Sequence, residues 1–207
     1  MPTMFGKKVK EYVRFERWIL ILIVVVFALR LGLSLAGVSK AEHPFITRTG
    51  IQTPLPKGTE WLSINLVLLA GILYCAIAVQ TRGFGTYKHL FPLLLFQTTL
   101  VHVLVGMAII LGIVTRHNNV FTAAEHCGVC GADGLRWSHA LGHIVITPPL
   151  VSLVSWLPAS AILFVTRRVR RPGVFEGPLV VVLAKFVAFA AIAVAALVLI
   201  LAIMRFS

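Results

Sequence analysis

Charge is scarce in this chain. Only 13% of its 207 residues are Asp, Glu, Lys or Arg, against roughly 25% in a water-soluble domain, and that shortfall excludes an ordinary soluble enzyme. Acidic groups are rarest, 7 against 19 Lys and Arg. Cysteine is limited to Cys75, Cys127 and Cys130, so only one CxxC exists and a zinc ribbon, which needs two, is excluded. Cys130 is followed by Gly131 rather than His, which removes covalent haem attachment by a CxxCH motif. Internal repeats are also missing, as expected when an odd number of dissimilar segments cannot divide into two halves. No segment carries a specific catalytic or cofactor signature.

Apolar residues are abundant: 58% of the chain, with a mean hydropathy of +0.94. They lie in runs of about 20, each enough to cross a hydrocarbon layer of roughly 30 Å. The expected fold class is therefore an all-α integral membrane protein, a bundle of five transmembrane helices. The expected spans are 18–38, 61–81, 90–115, 138–166 and 178–204, behind a basic leader at 1–17 and with external loops at 39–60 and 116–137. The run after the leader is longer than the 7 to 15 apolar residues of a cleavable signal peptide, so it reads as a retained span. Pro148, Pro149 and Pro158 fall in the fourth span and predict a kinked helix. On the fifth, Ala184, Ala188, Ala191 and Ala195 form a stripe of small residues suited to close helix contact.

A net charge of +12 would point to nucleic acid in a soluble domain. Here the basic residues sit at the ends of apolar runs, where they report topology and attraction to lipid headgroups. No nucleic-acid partner is expected. Lys7, Lys8, Lys10, Arg14, Arg17, Arg82, Lys88, Arg167, Arg168, Arg170 and Arg171 share one side; Lys40, Arg48, Lys57, Arg116, Arg136 and Arg205 share the other. The positive-inside rule then places the N-terminus in the cytoplasm and the C-terminus outside, in a bacterial-type inner membrane.

The second external loop is the densest in chemistry. His117, His126, Cys127 and Cys130, with His139 just beyond, are potential metal ligands. Cys127 and Cys130 can instead close a small disulfide turn, eased by Gly128 and Gly131. A CxxC beside the outer end of a small helical bundle is also similar to the arrangement in membrane thiol:quinone oxidoreductases. That resemblance implies dithiol oxidation by a quinone held between helices. Those proteins relay electrons through a second outward-facing cysteine pair, whereas Cys75 lies within the second span.

Ionisable groups inside a span are costly and face protein or water. Arg30 and His102 both fall roughly 18 to 20 Å from the cytoplasmic edge. Thr98, His102 and Gly106 follow at i, i+4 and i+8, giving one small polar stripe that should face the bundle interior. His139 and His143 are one turn apart near the outer start of the fourth span. If both helices end at one membrane plane, His102 and His143 differ in depth by roughly 13 Å, too far apart to ligate one iron. His102, His139 and His143 remain candidates to contact haem or quinone. Prolines 148 and 149 free the carbonyls of Ile144 and Val145, so if the protein has a binding pocket it is expected there.

Small size, small-residue faces and little extramembrane mass favour a non-catalytic membrane subunit or scaffold. It would pack among other membrane subunits or as a homo-oligomer, with an electron-transfer complex as one setting. A redox-active quinone- or haem-binding protein, and a solute or ion pathway lined by Arg30, Thr98 and His102, are the alternatives.

Overall fold

The computed structural model describes residues 3–36, 63–116, 119–122, 137–169 and 178–206, and it is nearly all helical, 87%. Two short strands, β1 (Thr3–Met4) and β2 (Lys7–Lys8), precede α1 (Val9–Leu35), α2 (Ile64–Thr81) and α3 (Tyr87–Thr115). Next come α4 (Trp137–Leu141), a π-helical turn (Gly142–Ile146), α5 (Thr147–Val169) and α6 (Leu179–Phe206). Helices α1, α2, α3 and the continuous rod Trp137–Val169 are each long and apolar enough to cross a membrane. The fifth rod, α6, has 28 residues.

The leader is structured, which the sequence reading did not anticipate. Phe5 and Gly6 have φ of 51° and 84°, the two positive values of a type I′ turn, whose twist matches that of the paired strands. Thr3 pairs with Lys8 and Met4 with Lys7 across it. Helix α1 then starts at Val9, nine residues before the expected Trp18. No Gly or Pro interrupts residues 9 to 17, and Tyr12 and Glu16 are fully buried there, so packing extends the helix beyond its apolar run.

The chain divides into two compact units: residues 1–16, 69–96 and 151–207, and residues 17–68 and 97–150. In the first, aromatic rings gather around the hairpin and the turn between α2 and α3. The Phe15 and Phe84 rings are 4.2 Å apart, Tyr12 meets Phe84 edge-on at 5.4 Å, and Lys7 stands 4.7 Å over Phe84. The Tyr12 hydroxyl donates to the Met4 carbonyl at 2.8 Å. Thr86 caps α3: its N–H donates to His89 Nδ1 at 3.0 Å, while the His89 N–H donates to the Thr86 carbonyl at 2.9 Å. The Thr86 N–H bond is the half of a capping box that Glu or Gln usually makes, here supplied by histidine. Because Nδ1 accepts, the His89 proton is on Nε2, which donates to the Phe5 carbonyl at 3.2 Å and pins the hairpin. On α6, Ala196 is buried whereas Ala184, Ala188, Ala191 and Ala195 are exposed, so the described residues leave the small-residue stripe uncovered.

The second unit packs parts of α1 and α3, the turn 119–122 and the rod from Trp137 onward. Ile23, Phe27, Val101, Ile109 and Ala140 are buried in it. The first described residues after α3 fold back inward. Asn119 Nδ2 donates to the Ala108 carbonyl at 2.8 Å, and its Oδ1 accepts the Phe121 N–H at 2.9 Å. The Val120 N–H donates to Ser34 Oγ at 2.8 Å, and the Phe121 ring stacks on Phe27 at 5.1 Å.

Candidate functional site

The site is built where α3 runs antiparallel to the π turn. Two consecutive prolines withhold the donors that the carbonyls of Ile144 and Val145 need. The turn just before them widens: the Thr147 N–H bonds the Gly142 carbonyl five residues back, and the Thr147 hydroxyl bonds the same oxygen at 3.0 Å. The proline effect expected in the fourth span thus takes the form of a π turn, a feature frequent at functional sites.

Three contacts fix the register. The Thr98 hydroxyl donates to the Pro148 carbonyl at 3.2 Å. His102 Nδ1 lies 3.0 Å from His143 Nδ1. At Gly106 the opposing backbone comes so near that an added Cβ would stand 2.6 Å from Ile144 Cγ1 and 3.1 Å from the Ala140 carbonyl oxygen. Only glycine admits this approach.

The 13 Å depth offset expected between His102 and His143 is therefore incorrect. It rested on aligning the ends of the two helices. The contacts of Thr98 with Pro148, His102 with His143, and Gly106 with Ala140 and Ile144 set a different register.

The result is a file of three imidazoles. His143 Nε2 lies 3.1 Å from His139 Nε2, so the central ring uses both nitrogens on other histidines. Ring centroids are 5.2 Å apart for His102 and His143, with planes 25° apart, and 4.9 Å for His139 and His143. His102 is 5% exposed, and its Nε2 is buried with no hydrogen-bond partner among the described residues. Such an atom costs roughly 1 to 3 kcal/mol and calls for an explanation. Every described ionisable residue of this unit other than the histidines is an arginine, Arg17, Arg30 or Arg116.

A haem clamped between His102 and His143 does not fit. Imidazole–metal bonds of about 2 Å on opposite faces of one iron would hold the ligating nitrogens about 4 Å apart, but these are in direct hydrogen-bond contact. Among the described residues no group of three His, Cys, Asp or Glu is arranged to hold a metal ion. The proposed ligands His117, His126, Cys127 and Cys130, and the proposed Cys127–Cys130 disulfide, lie outside the described residues. Cys75 is a buried thiol 3.9 Å from Glu16 Oε2. Arg30, 2% exposed, stands 5.9 Å over the Phe121 ring.

The sequence reading passed over His89, Asn119 and the π turn. Thr86 followed three residues later by His89 was a readable capping signal. Asn119 gave none for its bond to the Ala108 carbonyl of α3, a contact set by how the turn folds back on that helix. No protein family, curated protein or solved structure matches this chain.

Proposed function

We propose that the chain is an integral membrane subunit of a larger membrane complex, threading a bacterial-type inner membrane five times with its N-terminus cytoplasmic and its C-terminus external. The observation that carries the subunit reading is the outward face of α6. Ala184, Ala188, Ala191 and Ala195 are exposed along one line, a surface that suits the close approach of another helix better than it suits lipid tails. Orientation is supported by the first unit. Lys8, Lys10, Arg14, Arg82, Lys88 and Arg168 are exposed in it, against one exposed acid, Glu11, among its described residues.

Native mass spectrometry of the protein in mild detergent tests this reading. It should show a bound second polypeptide, either a further copy or a different subunit, that is lost when Ala188 and Ala191 are both replaced by Leu. A single polypeptide mass under the gentlest conditions contradicts it.

A second reading is favoured by Nε2 of His102, which has no partner among the described residues: a redox-active membrane protein that contacts a quinone at His102, His139 and His143. The mass spectrum separates the two, because a quinone travels as a small bound mass without any second chain.

A further inference from the structure

We propose that His139, His143 and His102 form a proton relay, carrying protons between the start of α4 and an oxygen acceptor admitted at Nε2 of His102. The inference stands on the geometry of the file and holds whether or not the chain is a subunit. A histidine that merely fixes helix register needs one partner. Here His143 bonds an imidazole on each side, at 3.0 and 3.1 Å, and imidazole is the side chain whose ring nitrogens can exchange donor and acceptor roles without moving.

The proton count closes. In one arrangement His139 Nε2–H donates to His143 Nε2, His143 Nδ1–H donates to His102 Nδ1, and His102 carries its proton on Nε2. A proton arriving on Nδ1 of His139 sends the Nε2 proton of that ring to His143. His143 passes its Nδ1 proton to His102, and His102 releases its Nε2 proton to the oxygen acceptor. One proton has entered and one has left, every ring is neutral again, and both hydrogen bonds are reversed in polarity. A proton travelling the other way restores the first arrangement.

Two surroundings keep these polarities close in energy. A carboxylate on one ring nitrogen would lock the tautomer, and the central ring, His143, has an imidazole on each of its nitrogens instead; the other described ionisable groups of this unit are Arg17 and Arg30 on α1 and Arg116 at the end of α3. The rings are also held nitrogen to nitrogen, with planes 25° and 51° apart, by the close approach at Gly106 and the π turn. The far end of the file, Nε2 of His102, is buried and offers a donor or acceptor to nothing described, as the outlet of a relay should before its acceptor docks. The acceptor is the oxygen of a water molecule or of a quinone-type carbonyl.

The test is magic-angle-spinning NMR of the full chain, labelled in its histidine ring nitrogens, in phosphatidylethanolamine/phosphatidylglycerol vesicles. Both tautomers of His143 should be populated. The proton between His102 and His143 should take up deuterium from the buffer, and His139→Gln should slow that uptake by about tenfold or more. One fixed His143 tautomer in the wild-type chain overturns the relay by itself, so the outcome does not depend on a variant that folds. Unchanged uptake in a folded His139→Gln protein overturns it equally. For the outlet, a His102 Nε2 signal that shifts on adding a short-chain quinone identifies a quinone-type acceptor, and a water cross-peak without that shift identifies water. The absence of both contacts contradicts the proposed outlet.

Discussion

Gly106 on α3 and Ile144 in the π turn approach so closely that a methyl on the glycine would stand 2.6 Å from Ile144 Cγ1. This contact sets the register that brings His102 to His143. Gly106→Leu should push the two helices apart and lower stability by about 1 to 3 kcal/mol, the usual cost of overpacking. Gly106→Ala should cost less, because alanine recovers up to about 1 kcal/mol of helix propensity. Thermal unfolding in detergent should rank wild type above Gly106→Ala and Gly106→Leu last; equal midpoints for all three would mean the contact is not tight.

Thr98 and Pro148 make the next contact along the same register, through a single hydroxyl. Interhelical hydrogen bonds of this kind in membrane proteins average about 0.6 kcal/mol and reach about 1.7. Thr98→Val should therefore destabilise by no more than about 2 kcal/mol on that scale, and by less than Gly106→Leu. Reversible unfolding in mixed detergent micelles measures both variants on one scale, and a larger loss for Thr98→Val would show that the hydroxyl holds more than this bond.

Asn119 makes two buried bonds that tuck the turn 119–122 against α3. Asn119→Ala leaves the Phe121 N–H buried without its partner, at a cost of about 1 to 3 kcal/mol. Ser34→Ala, which removes the acceptor of the Val120 N–H, should cost a similar amount. Hydrogen exchange at the Val120 and Phe121 amides is the direct readout: it should accelerate in both variants, and continued slow exchange would show that the turn is held by other contacts.

At the other unit, Tyr12→Phe removes the bond from the tyrosine hydroxyl to the Met4 carbonyl while keeping the ring among Phe84, His89 and Phe96. The loss of about 1 kcal/mol should raise the population of the undocked hairpin roughly fivefold. Trypsin cleavage after Lys7 and Lys8 in detergent-solubilised protein should quicken by that factor. Cleavage that is already fast in the wild type would mean the hairpin is not docked.

The helices were legible because apolar runs of membrane length leave little choice of secondary structure. Their true limits were not, since residues 9–17 extend α1 through the packing of Tyr12 and Glu16, which hydropathy does not register. In the candidate site, the stripe of Thr98, His102 and Gly106 could be read from its spacing, and so could the pair His139 and His143. Their meeting could not. It depends on the register of α3 against its neighbour and on the turn that Pro148 and Pro149 widen, and the register is a tertiary fact. His89 shows the opposite case, a capping signal present in the sequence at Thr86 and His89 and passed over.

The juxtaposition of His102 and His143 can be measured without reference to protons or ligands. In a chain whose native cysteines are replaced by serine, His102→Cys with His143→Cys should be joined within one polypeptide by a short thiol-bridging reagent such as dibromobimane. His102→Cys with Leu150→Cys should not, because Leu150 lies seven residues and about 10 Å farther along the helix. Efficient bridging of the first pair alone is the predicted result. Failure of the first pair to bridge in a folded protein, or bridging of the second in its place, would contradict the register on which the histidine file depends.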